Sequence, residues 1–252
     1  MFVFFFDKAG AAVLDRPPAP PLRRTDYQKQ FVDVFKRLST REQSWRVWSD
    51  FLELAACAIS NRVDRANYEV REKRYMGVIK RYSKDEANDF AKMLAILTQA
   101  LDEEPEQDFL GELFMSLELS NHWRGQFFTP YSLCRMMAEM QYVDLPERVK
   151  EKGYISVNDP ACGAGATLIA FANVAKARGI NYQNHVLFVA QDIDQTAVLM
   201  CYLQMSLLGC AGYVIVGNTL TMETSEIWYT PMWFSDVWRW RRVFQKMSDL
   251  KA

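Results

Sequence analysis

The segment NDPACGAGATLIAF, Asn158 to Phe171, places an acid, a proline and two closely spaced glycines between an apolar run and a helix-forming stretch. Gly163 and Gly165 lack the side chains that keep a backbone at a distance, so the chain there can turn tightly and approach a ligand. The helix that follows offers amides with no intrahelical partner, which suit a polar or anionic group. About thirty residues on, Asp192 ends a second apolar run, where a carboxylate can accept hydrogen bonds from ribose hydroxyls. Asn218 ends a third such run, and GQFFTP, Gly125 to Pro130, precedes the whole set. Each feature alone is common, since a glycine pair after a strand is often only a tight turn and an acid at a strand end is often merely exposed. Their order along one chain points to a nucleotide-like ligand.

These residues need a scaffold. YISVNDP, HVLFVAQDID and GYVIVGNTL are short apolar runs of strand type, and GATLIAFANVAKARG and TAVLMCYLQMSLLG between them are helical in pattern. Strand and helix in alternation predict a parallel sheet with right-handed crossovers, whose ligands bind at the carboxyl ends of the strands. The candidate residues all fall at those ends. Upstream, no glycine interrupts the chain between Gly10 and Gly77. Phe31, Val34, Phe35 and Leu38 recur at helical spacing after a cap at Thr25 or Asp26, and further helices are expected through REQSWRVWSDFLELAACAISN, YEVREKRYMGVIKRYS and KDEANDFAKMLAILTQAL. Trp45, Trp48 and Phe51 read as packing surface, and the charges of REKRY and KRYSKDE as a solvated helix face. RPPAPPLRR is too poor in apolar surface to fold by itself and reads as an extended arm.

Composition excludes several classes. The 252 residues, half of them hydrophobic, suffice for a sizeable core, and 30 basic against 31 acidic residues leave no bulk charge to bind nucleic acid or membrane. Any DNA contact must come from a local patch. Five scattered cysteines without a CxxC pair and two histidines argue against a zinc site and for reduced thiols in a cytoplasm, so no metal is expected. MFVFFF is followed at once by Asp7 and Lys8 and does not form a signal peptide, and no run approaches membrane-spanning length.

GQFFTP, NDPACGAGATL, QDID and GNTL resemble, in order, the motifs of the adenine N6 DNA methyltransferases, in particular the modification subunits of type I restriction systems and their phage or plasmid relatives. DFLGELFMSLELSN is similar to that family's approach to the catalytic domain, so the resemblance covers about Asp108 to Leu220. It implies an α/β fold: a Rossmann-like sheet dependent on S-adenosyl-L-methionine, here with room for only part of its strands, preceded by an α-helical N-terminal domain. The expected organisation is a proline-rich arm over 1–24, a helical domain over 25–120 and a methyltransferase-like cofactor-binding domain over 121–252.

The resemblance also implies roles. Phe127 and Phe128 would shape the pocket, with Thr129 and Pro130 near the methionine end of the cofactor. Asp159, Pro160, Ala161, Cys162, Gly163 and Gly165 would wrap its methionine and ribose. Asp192 would hold the ribose hydroxyls, Asp194 would make a second ribose or adenine contact, and Asn218 would face the adenine edge. The family usually has an acid where Asn218 stands, and an amide still makes one such bond. From the residues alone, Phe127 and Phe128 read equally as buried rings, and Thr129 as a helix cap with Pro130 at the first helical position.

Adenine methylation needs the base flipped out of the duplex, its amine held by an amide and its ring stacked on an aromatic. The family supplies this with an Asn-Pro-Pro-aromatic segment. The nearest analogue is TPMW, in which Thr230 and Pro231 would meet the amine and Trp233 would stack. The amide is absent, a loss worth about 2–4 kcal/mol in the transition state, and WYTPMW reads equally as a surface turn. About thirty residues follow Asn218, fewer than a complete methyltransferase sheet needs. DVWRWRRVFQK interleaves Trp238 and Trp240 with Arg239, Arg241 and Arg242, which suits either a nucleic-acid surface or an amphipathic terminal helix docked on the sheet. The expected function is therefore an adenine N6 DNA methyltransferase acting on DNA with a specificity subunit or a second copy of itself. The alternative is a non-catalytic subunit of the same fold that binds cofactor or partner in DNA modification or counter-restriction.

Overall fold

The computed structural model describes residues 24–119, 128–141 and 145–249. The expected proline-rich arm and Phe127, with the first residues of GQFFTP, lie outside them.

Helix α1 (Arg24–Leu38) buries Tyr27, Phe31, Val34, Phe35 and Leu38, one face at helical spacing. α2 (Ser44–Ser60), α3 (Tyr68–Ile79) and α4 (Lys84–Glu103) follow close to the expected segments, and α5 (Phe109–Ser116) is a further helix that was not expected. α4 starts in a capping box, with Ser83 and Glu86 each satisfying the other's backbone amide. The Phe31 ring meets Trp48, Phe51 and Phe109 edge-on at centroid distances of 6.0, 5.2 and 5.7 Å. Each such contact contributes about 0.5–1.5 kcal/mol beyond the area it buries.

After α6 (Tyr131–Met140) and α7 (Leu145–Lys152), the chain forms an open sheet in the order β1 (Ile155–Asp159), β2 (Val186–Asp192), β3 (Ala211–Asn218), β4 (Glu223–Tyr229). The first three strands are parallel. α8 (Ala166–Ala177) and the short α9 (Tyr182–His185) link β1 to β2, and α10 (Gln195–Leu207) links β2 to β3. α10 is buried from Thr196 to Met205 without a polar face, as befits a helix held between the sheet and the helices α2 and α5. One buried cluster runs from Tyr27 through α10 to Trp228, so the helical region and the sheet share a core. α11 (Asp236–Asp249) docks through Trp238, 1% exposed, whose indole donates to Gln183 O at 2.7 Å.

Two features depart from the sequence reading. The stretch ETSEIWY forms β4, antiparallel to β3, with Asn218 opposite Glu223 and Tyr213 opposite Tyr229. It is an edge strand with a mainly polar, exposed surface and only Trp228 fully buried, so it lacks the apolar run that marks a central strand. REKRY is also not wholly solvated, because Arg71 is 1% exposed. Its guanidinium meets Asp64 Oδ2 at 2.7 Å, Ile227 O at 2.8 Å and the Ser60 hydroxyl, and lies 4.1 Å over the Trp228 ring. Arg74 adds Glu53 and, at 2.7 Å, Glu226. These arginines fasten β4 to α3, and a buried charge is tolerated there because it is both paired and hydrogen-bonded.

Candidate functional site

At the end of β1 the chain makes a compact turn. Gly165 N donates to Cys162 O at 2.8 Å, and Gly163 and Gly165 have φ of +54° and +96°, which disfavour any side chain. A Cβ on Gly163 would stand 2.8 Å from the Phe128 ring, and one on Gly165 would stand 2.9 Å from Cys201 Sγ. The turn is tied to β2 at two points: Cys162 N donates to Gln191 O at 2.9 Å and Gly163 N to Asp192 Oδ2 at 2.9 Å. The second Asp192 oxygen accepts from Asp194 N at 3.0 Å. Each carboxylate oxygen keeps a further lone pair for a ligand.

The remaining expected residues are anchored locally. Asp159 accepts from Ala161 N at 3.1 Å and from the Thr167 hydroxyl. Asp194 caps α10, accepting from Thr196 N at 2.6 Å and Ala197 N at 3.2 Å, which accounts for its position without a ligand. Asn218 Oδ1 accepts from Leu220 N at 2.9 Å and Thr221 N at 3.3 Å, closing the turn into β4. Its amide nitrogen is left as the group that a ligand could meet. Thr219 Oγ1 donates to Pro160 O at 2.6 Å, so the ends of β1 and β3 are bonded as well.

The upstream segment closes the site. Phe128 is half-buried, packs 5.6 Å from Phe114 and walls the glycine turn. Thr129 does not cap α6: Pro130 is the N-cap residue and no side chain accepts there. The Thr129 carbonyl instead takes the Cys134 thiol. A cleft of about 860 Å³ runs from Glu104 to Arg135 past Asp108, Phe128, Thr129 and Pro130. It shares Asp108, Phe128 and Thr129 with a small cavity of about 80 Å³ that reaches Asp159, Cys162, Gly163 and Thr167. Burial and the nearby carboxylates of Asp108 and Asp159 push the Cys134 thiol up to about 11. The Cys162 thiol is pushed well above its ordinary value by its hydrogen bond with Cys201 and by burial. Both are therefore protonated packing groups rather than nucleophiles.

The structure thus brings Phe128, Thr129, Asp159 to Gly165, Asp192 and Asn218 to one end of the sheet and Thr230, Pro231 and Trp233 to the other. Because β4 runs back along β3, Thr230 lies beside Gly212, about 20 Å along the strand from Asn218. Thr230 is wholly buried, donating to Cys210 O at 2.7 Å and accepting from Gly212 N at 3.0 Å. Trp233 stacks on Tyr229 at 5.4 Å under the Arg242 guanidinium. The expectation that TPMW grips the target base is corrected: it is a structural turn at the amino ends of the parallel strands.

Residues missed in the sequence include Asp108, Thr167, Thr219 and Ile193. Asp108 is 3% exposed and caps α5 through Gly111 N at 3.0 Å. The D-x-x-G spacing before an apolar run was a legible sign of it. Ile193, directly after Asp192, is an apolar side chain left 67% exposed. Among the described residues no group of three or more His, Cys, Asp or Glu is arranged to hold a metal, and no helix is long and apolar enough to cross a membrane.

Fold and site together define an α/β protein that presents a glycine turn, a carboxylate and an amide at the carboxyl ends of three parallel strands, where such sheets bind nucleosides. The chain belongs to the N-6 DNA methylase family, whose profile matches residues 110–238, just over half of its length. No curated protein and no solved structure matches it.

Proposed function

We propose that this chain is the cofactor-binding part of an S-adenosyl-L-methionine-dependent adenine N6 DNA methyltransferase, completed by a specificity subunit or a second copy. The observation that carries the reading is the Asp192 carboxylate locked to the glycine turn through Gly163 N, beside cavities walled by Phe128 and Thr129. Gly163 is explained by the Phe128 ring packed against it, and the fit to such a cofactor rests on the hydrogen-bonding capacity left on Asp192 and Asn218 at the strand ends. When bound, the cofactor supplies an electrophilic methyl group on a sulfonium.

This chain's residues hold and orient. The spare lone pairs of Asp192 accept from ribose hydroxyls, and the free amide nitrogen of Asn218 donates to the adenine edge. Phe128 excludes water on one side, and the amides at the start of α6, next to Thr129 and Pro130, suit the methionine carboxylate. Proximity and orientation then supply the rate enhancement, with no strong base required. The grip on the target amine comes from the partner, since Thr230 and Trp233 lie at the far end of the sheet. That displacement also favours a second reading, a non-catalytic subunit that keeps the cofactor in DNA modification or counter-restriction.

Calorimetric titration with S-adenosyl-L-methionine tests the proposal. Binding that weakens sharply in Asp192→Ala, followed by methyl transfer to adenine in DNA once candidate partners are added, is the expected result. No heat and no thermal stabilisation would refute the cofactor site, and binding without transfer under any pairing would favour the second reading.

A further inference from the structure

Gln204 sits in the last turn of α10, wholly buried in a helix whose buried stretch is otherwise mainly apolar. A polar side chain in such a place is unfavourable unless fully bonded, and this one reaches three groups in two segments, the start of α5 and the glycine turn. Its Nε2 donates to Asp108 Oδ1 at 2.8 Å and to Ala164 O at 2.9 Å, and its Oε1 accepts from Leu110 N at 3.2 Å. The orientation of the amide is dictated, since a carboxylate and a carbonyl can only accept and a peptide N–H can only donate.

Ala164 lies between Gly163 and Gly165, and its carbonyl is part of the turn that faces the cavities. Two glycines at positive φ leave this turn with many accessible conformations, so it needs clamps from outside. Asp192 holds the Gly163 amide from one side, and Gln204 holds the Ala164 carbonyl from the other. Asp108, at the wall of both cavities, is held by the same amide.

We propose that Gln204 is a positioning residue for the cofactor turn: it fixes the Ala164 peptide, and with it the Gly163 and Gly165 amides, and couples that turn to Asp108 at the start of α5. This rests on the reading of the turn as a cofactor cradle. No apolar residue could replace it without leaving the Ala164 carbonyl, the Leu110 amide and one bond to Asp108 unmet.

The test uses the full chain and three variants. Gln204→Met keeps the volume and removes all three bonds. Gln204→Glu keeps the acceptor for Leu110 N and can share a proton with Asp108, as paired carboxylates do, but leaves Ala164 O without its donor. Leu199→Ala opens a cavity on the Tyr202 side of the same helix and serves as a control for lost stability. Affinity for S-adenosylhomocysteine and amide hydrogen exchange over residues 161–165 are measured for each, alongside the melting temperature. Both Gln204 variants are expected to bind about tenfold more weakly and to exchange faster over 161–165, while Leu199→Ala changes neither. Native affinity and exchange in Gln204→Glu, or an equal loss in Leu199→Ala, would overturn the proposal. Should the native chain bind no S-adenosylhomocysteine, the cofactor reading fails separately, and unchanged loop exchange in the Gln204 variants would still overturn the positioning role.

Discussion

Gly163→Ala perturbs the turn where backbone and ring meet most closely. At φ +54° an alanine incurs about 1–2 kcal/mol of left-handed strain. Its Cβ would lie 2.8 Å from Cδ1 and 3.0 Å from Cε1 of Phe128, well inside contact distance. The ring is backed by Phe114 at 5.6 Å, so relief requires a shift of both, an overpacking cost of about 1–3 kcal/mol. The substitution should therefore destabilise the fold by about 2–5 kcal/mol. Phe128→Ala removes a half-buried ring and should cost less than the 3–5 kcal/mol or so of a fully buried phenylalanine. In the double variant the steric part disappears and only the backbone strain stays. Urea denaturation of the four proteins should give a coupling of about 1–3 kcal/mol, with the double variant more stable than the sum of the single losses. Additivity within about 0.5 kcal/mol would refute the contact between Phe128 and the turn.

Thr230→Val removes the hydroxyl that bridges Cys210 and Gly212, and chemical denaturation should show a loss of about 1–3 kcal/mol with cofactor affinity unchanged. A fall in affinity without a loss of stability would restore Thr230 to the site. Stability should also fall at alkaline pH, because burial pushes the Cys57 thiol up to about 12 and the Cys134 thiol up to about 11. A thiol raised in the folded state contributes stability that is complete below its unfolded value, about 8.5, and is lost as pH rises toward the folded value. The denaturation midpoint should therefore be lower at about pH 10 than at about pH 8, and curves that coincide at the two would contradict it.

Local pattern was enough to determine α1 to α4, the three parallel strands and the glycine turn. Helical spacing in α1 and α4, a short β-branched run in β1, apolar runs in β2 and β3 and two glycines after β1 are all written within short windows of the chain. Asp192 and Asn218 could be placed for the same reason, since a strand end is a local feature and parallel pairing brings such ends together. Tertiary structure alone decided the rest. ETSEIWY has no apolar run to mark it, and its direction comes from pairing with β3, which returns Thr230 to the amino end of the sheet. Arg71 reads as a surface charge until Asp64 and Trp228 surround it, and Gln204 as a stray polar residue until Asp108, Leu110 and Ala164 converge on it. Buried polar groups are specified by partners distant in sequence, and those partners exist only once the core has closed around them.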